Sequence, residues 1–230
     1  MEKQKSALIV GASRGLGLAI AKELLERGWQ VTGTVRSKSG AGLQALIGQY
    51  KKRLEIKYLD ITVPEQIAAI KDNTIDEQFD VLFVSAGITN ERYETMGEVS
   101  AEKFIKIMIT NVLCVMRTVE QLSGKVRPGG TIGVMSSGQG SIGNNETGEF
   151  EVYRASKAAL NMAMRSFTTR RGEDYALLLL APGWVKTDMG GTCATFTIDE
   201  VITDIVDTIV VQEGRRGLRY LDRFDKTIRW

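Results

Sequence analysis

Short apolar runs alternate with amphipathic stretches along the whole 230-residue chain, and this alternation constrains the fold more than any other feature. The runs fall at residues 7–10, 31–35, 54–59, 81–84, 131–135, 177–180 and 218–221. Ala7-Leu8-Ile9-Val10 and Val81-Leu82-Phe83-Val84 carry no polar residue at all. A strand with one wet face alternates with period two, whereas a strand buried on both faces does not. Between the runs, apolar residues recur at helical spacing. Leu16, Ile20 and Leu24 mark a helix closing near Gly28, and Ile67 and Ile70 mark one beginning at Pro64. Phe104, Met108, Val112 and Val115 mark a long helix reaching about residue 123, and further helices are expected over 153–171 and 198–211. The Gly-rich segment 37–48 reads as a mobile loop and weak helix. Continuous apolar strands separated by helices specify an α/β fold with a doubly wound parallel sheet of seven strands and helices on both faces. No repeat or linker divides the chain, so residues 1–230 are read as a single domain.

Composition then excludes whole classes of function. Histidine is absent, which removes any mechanism resting on an imidazole base or ligand. The 30 basic and 28 acidic side chains leave no electrostatic footprint for nucleic acid or an acidic membrane. Cys114 and Cys193 lie far apart, so neither a disulfide framework nor a metal site is expected. Residues 1–5 are polar and no apolar stretch approaches 18 residues, so a cytoplasmic protein without a membrane span is expected.

Chemistry first shows in the loop after the first strand, Gly11-Ala12-Ser13-Arg14-Gly15-Leu16-Gly17. Glycines between an apolar strand and an amphipathic helix let the backbone turn tightly and approach a pyrophosphate at the helix N-terminus. The GxxxGxG spacing alone fits a structural turn equally well; its position favours nucleotide binding. An NAD enzyme carries an acidic residue at the end of the second strand. Here the chain reads Gly33-Thr34-Val35-Arg36-Ser37-Lys38. Arg36 offers a charged fork for a 2′-phosphate, and Arg14 could supply a second cation, so NADP(H) is the expected cofactor. Tyr153 and Lys157 stand four apart on a helix and share a face. An ammonium beside a phenol would lower the tyrosine pKa toward a range useful for proton transfer. Isolated pairs at this spacing are common by chance. Ser136-Ser137 closes the fifth strand, where carboxyl ends of strands meet the ligand crevice.

Taken in order, these landmarks resemble the short-chain dehydrogenase/reductase family over nearly the whole chain. The series runs from Gly11, Gly15 and Gly17 through Asp60, Ser85-Ala86-Gly87, Asn111, Ser137, Tyr153, Lys157 and Pro182-Gly183. The stretches SSGQGSIGNN, YRASKAALNMA and PGWVKTDMGG are similar to the branch holding C-factor proteins and Sniffer-type carbonyl reductases. The resemblance implies a Rossmann domain that reduces an aldehyde or ketone with NADPH. Tyr153 would be the general acid, Lys157 would depress its pKa and hold the nicotinamide ribose, and Ser137 would bind the substrate oxygen. Asn111 would hold a water linking Lys157 to solvent. Asp60 would bind adenine, with Ile61 beside it, and Ser85, Ala86 and Gly87 would line the adenosine side. Ser13 and Leu16 belong to the phosphate loop, and Val185 and Thr187, after Pro182 and Gly183, would hold the carboxamide. Ile88, Gln139, Ile142, Trp184 and Met189 are expected to wall the substrate, with no cation facing it. Val10 and Ser85 depart from the family's usual threonine and asparagine. The family pattern further implies a homodimer or homotetramer, with Met108, Val112, Val115, Leu160, Met164 and Phe167 shared between core and partner. A signalling protein that binds a dinucleotide with little turnover and an NAD-linked alcohol dehydrogenase are the alternatives.

Overall fold

In the computed structural model, which describes residues 4–37, 41–74 and 78–230, each apolar run is a strand. These are β1 (Ser6–Val10), β2 (Gln30–Val35), β3 (Leu54–Tyr58), β4 (Phe79–Val84), β5 (Val126–Met135), β6 (Ala176–Ala181) and β7 (Gly217–Asp222). They form one sheet in the order β3-β2-β1-β4-β5-β6-β7, every neighbouring pair parallel. The chain starts in the middle, winds outward to β3, then returns to β4 beside β1. A crevice opens at the carboxyl ends of strands where the winding reverses.

The helices are α1 (Gly15–Glu26), α2 (Ala41–Tyr50), α3 (Pro64–Asp72), α4 (Ala101–Met108), α5 (Val115–Leu122), α6 (Glu151–Arg171) and α7 (Ile202–Val210). They cover both faces. Leu8, Val10, Leu82 and Val84 meet Ile67, Val119, Leu160 and Phe167 from α3, α5 and α6. The alternate residues Ala7, Ile9, Val81 and Phe83 meet Ile20, Leu24, Leu43 and Ile205 from α1, α2 and α7. Strand periodicity thus sends neighbours into two separate cores. Among the described residues no helix is long and apolar enough to cross a membrane.

Four readings of the sequence need correction. The segment read as a mobile loop and weak helix holds the ten-residue helix α2, seated through Leu43 against Gly33, where a β-carbon would lie 2.5 Å from Leu43 Cδ2; residues 38–40 of that segment lie outside the described residues. The long helix is broken by a π-helical turn, Ile109–Cys114, between α4 and α5. The last helix starts at Ile202, because residues 197–200 fold into a turn in which the Glu200 carboxylate accepts from the Thr197 amide (2.6 Å) and hydroxyl (2.8 Å). Finally, Val115, Leu160, Met164 and Phe167 are wholly core, whereas Ile105, Ile109, Leu113 and Met162 are the exposed apolar residues of these helices.

Candidate active site

A groove follows the carboxyl ends of the strands, lined by Gly11, Ser13, Arg14, Gly15, Leu16 and Gly17 after β1 and by Thr34 and Arg36 at the end of β2. Asp60, Ile61 and Thr62 line it after β3, and Ser85, Ala86, Gly87 and Ile88 after β4. Two glycines are required by the geometry. Gly15 holds φ +55°, and a β-carbon on Gly17 would lie 2.2 Å from the Gly11 carbonyl oxygen. No side chain caps α1 and no acidic residue stands in its first turn. Its N-terminal amides and dipole are therefore free for an anion. The Thr34 hydroxyl accepts from the Gly11 amide at 3.1 Å, which braces the loop from β2. Asp60 accepts from the Thr62 hydroxyl (2.7 Å) and amide (2.9 Å), and these bonds, with Arg36 nearby, hold its carboxyl below the usual range. This donor set fits a dinucleotide: a bare helix N-terminus for a pyrophosphate, and a guanidinium for an added phosphate.

Met135, Tyr153 and Lys157 line the same groove, together with Ile88, Thr187, Asp188 and Met189. The Ser137 hydroxyl faces the Tyr153 phenol closely enough to favour its ionised form, and it accepts from the Gln139 amide at 3.1 Å. Ser136, the neighbour, points the other way and donates to Asn161 Oδ1 at 2.6 Å deep in the core. Lys157 is buried, donates to the Met135 carbonyl at 2.8 Å and places its Nζ 5.6 Å from the Tyr153 ring centroid. The expected lowering of the tyrosine pKa does not occur here. Burial pushes the Tyr153 phenol up to about 12, offset only in part by Ser137. Burial also pushes the Lys157 ammonium down to about 8. Desolvation penalises both charged forms, and it outweighs what the pair could offer each other. Asn111, on the π turn, is fully buried and its side chain is spent: Oδ1 accepts from the Ile88 amide (2.9 Å) while Nδ2 donates to the Ile88 carbonyl (2.8 Å) and Ser156 Oγ (2.9 Å). It ties the end of β4 to α6.

Some expected residues do not line the groove. Pro182 and Gly183 lie outside its wall, and Val185 turns its side chain into the core while its backbone bridges to Phe196. Gln139 meets the site through its amide alone. Ile142 is 79% exposed on the neighbouring turn, away from the groove. Trp184 is also outside it, its indole N–H donating to the Gly190 carbonyl at 2.8 Å. The Arg92 guanidinium lies 5.5 Å from the Trp184 ring and pairs with Glu149 at 3.0 Å, likewise outside the groove lining. Arg14 pairs with Asp188 at 2.6 Å, so the glycine loop and the loop after β6 clasp across the groove. Sequence reasoning missed Thr34, Asp188 and Tyr220, whose phenol donates to the Ser137 carbonyl. Thr34 and Tyr220 sit in ordinary strand patterns, and nothing in the sequence sets them apart.

The sequence profile of the family described as short chain dehydrogenase matches residues 5–196. The chain belongs to the short-chain dehydrogenase family. A short-chain dehydrogenase/reductase of Burkholderia multivorans with bound NADP superposes with a TM-score of 0.96 at 52% identity, covering 99% of this chain and all of that one. A carbonyl reductase of Pseudomonas aeruginosa in complex with NADP gives 0.91 at 33% identity, over 99% of this chain and all of that one. Among curated proteins, the 3-oxoacyl-[acyl-carrier-protein] reductase FabG of Vibrio cholerae is 35% identical over 191 residues, which is 80% of this chain and 75% of that one.

Proposed function

We propose that this short-chain dehydrogenase is a cytoplasmic NADPH-dependent reductase of an aldehyde or ketone. The observation that carries the reading is Tyr153, one helical turn from buried Lys157, on the wall of a dinucleotide-shaped groove, with the Ser137 hydroxyl beside its phenol. NADP bound to the Burkholderia and Pseudomonas relatives supports the cofactor. Bound NADPH would supply the hydride; the remaining work belongs to the chain. Arg36 reads the 2′-phosphate, the N-terminus of α1 takes the pyrophosphate, and Asp60 and Ile61 flank the adenine. Ser137 orients the carbonyl oxygen, and Tyr153 gives it a proton. A phenol that stays protonated to about pH 12 suits a donor at neutral pH. Lys157 holds the ribose by its ammonium. Ile88 and Met189 supply apolar wall to the groove that Tyr153 lines.

A panel of aldehydes and ketones, followed by loss of NADPH absorbance, tests this reading. We expect turnover with NADPH, a fall in kcat of about 10²–10⁴-fold for Tyr153→Phe with cofactor binding intact, and a preference over NADH that shrinks about ten- to a hundredfold in Arg36→Ala. Equal rates for wild type and Tyr153→Phe refute it.

We also propose that the protein self-associates as a dimer or tetramer through Ile105, Ile109 and Leu113, spaced four apart along α4 and the π turn, with Met162 of α6. Light scattering at micromolar concentration is expected to give a multiple of 25.4 kDa, falling to the monomer mass in Ile109→Glu.

A further inference from the structure

The Tyr220 hydroxyl has no role in packing. Its ring lies on β7, two strands from the end of β5, almost completely buried and 5.5 Å from the Trp230 ring at a tilt of 53°. Phenylalanine would fill the same space. A buried hydroxyl needs a partner, and this one donates to the backbone carbonyl of Ser137, reaching past β6, whose Leu179 is paired with Tyr220. Asn161, two turns along α6 from Tyr153 and one from Lys157, grips the same turn. It accepts from Ser136 Oγ at 2.6 Å and donates to the Gly140 carbonyl at 3.4 Å, with its side chain beside the Tyr220 phenol. The turn over residues 136–140 is thus held from behind at three points. On its front only the Ser137 hydroxyl is offered, to Tyr153 and the Gln139 amide.

We infer that Tyr220 is a positioning residue that, with Asn161, sets the direction of the Ser137 hydroxyl toward Tyr153. The inference rests on the reductase reading for its kinetic consequence, but its structural core concerns the free protein. A fixed carbonyl leaves the Ser137 peptide one orientation. The same carbonyl also accepts from the Gly140 amide at 2.9 Å, so without the tyrosine it is held from one side only; the peptide can then tilt, and the hydroxyl leaves Tyr153 for part of the time. Because the bond is made to backbone, no substitution at Ser137 removes it, and the effect must be tested from the tyrosine side.

The test is Tyr220→Phe, which keeps the ring and deletes one oxygen. In the free protein, hydrogen exchange at the Gln139 amide, which is bonded to Ser137 Oγ, is expected to speed up, while exchange along α6 beyond Asn161 stays unchanged. NADPH affinity by fluorescence titration should remain within about twofold, and kcat for carbonyl reduction should fall about tenfold, the loss expected of one buried hydrogen bond. That fall should vanish when Tyr220→Phe is added to Ser137→Ala, since the two act through one group. Unchanged exchange at Gln139 overturns the inference, and so does a tenfold loss that persists in the Ser137→Ala background. If the wild type reduces no carbonyl at all, the reductase reading fails, and the exchange measurement alone decides this one.

Discussion

Lys157 and Tyr153 share a helix face, and burial moves them in opposite directions: the ammonium down to about 8, the phenol up to about 12. The spacing of the pair was legible in the sequence; the sign of the tyrosine shift was not, because spacing carries no information about desolvation. The consequence for pH is specific. Below about 8 Lys157 is charged and Tyr153 is a neutral donor; as the pH rises through that value Lys157 loses its proton and its hold on the ribose. We therefore expect kcat/KM for NADPH, which reports the free enzyme, to be level at neutral pH and to fall above about 8. Tyr153 should add no second inflection until far more alkaline conditions. Initial rates at limiting NADPH between pH 6 and 10, on the order of two units either side of the Lys157 value, check this.

At the scale of elements, the alternation of apolar runs and helical periods located all seven strands: β1, β4 and β6 by polar-free runs buried on both faces, and the edge strands β3 and β7, which carry charged residues, by their place in the alternation. Helix interruptions left no such signature. The π turn holding Asn111 has no glycine or proline to announce it, and α2 was obscured by the glycines around it, two of which exist to let Leu43 and Leu18 approach. Contacts between distant loops were equally silent. The Arg14–Asp188 pair joins segments 174 residues apart and stands exposed, so its net worth for stability is small. Its effect on an anion is another matter, because Asp188 competes for a cation of the phosphate loop. Asp188→Asn is expected to leave the melting temperature nearly unchanged and to tighten NADPH binding by up to about fivefold at low salt, with the gain shrinking as salt rises. Fluorescence titration at two ionic strengths measures it.

Across the whole molecule, the two ends of the sheet do different work. Opposite the groove, Asp80 accepts from the Ser6 amide at 2.7 Å and pairs with Arg127 and Lys5, both of which also reach Glu213 beyond α7. Burial pushes the Asp80 carboxyl up, yet the Ser6 amide and the Arg127 guanidinium more than offset that and hold it below its ordinary 3.8. A depressed carboxylate contributes stability that is complete above the unfolded value near 4 and is lost as the pH falls through the folded one. Asp80→Asn should cost about 1.5–3 kcal/mol at pH 7 by urea unfolding, with little change in cofactor affinity, and the cost should fade in acid. The π turn ties the remaining scales together. On one side it carries Asn111, bonded to Ile88 and Ser156; on the other, Ile109 and Leu113 lie open. The wide turn works as a gear between them. A π turn holds about one residue more than the α-helical turn it replaces, so deleting one residue would leave α4 and α5 nearly in line while the residues within the turn change faces, and either the buried amide or the apolar stripe would lose its mesh. The length of the segment from Ile109 to Cys114 therefore matters as much as the residues in it.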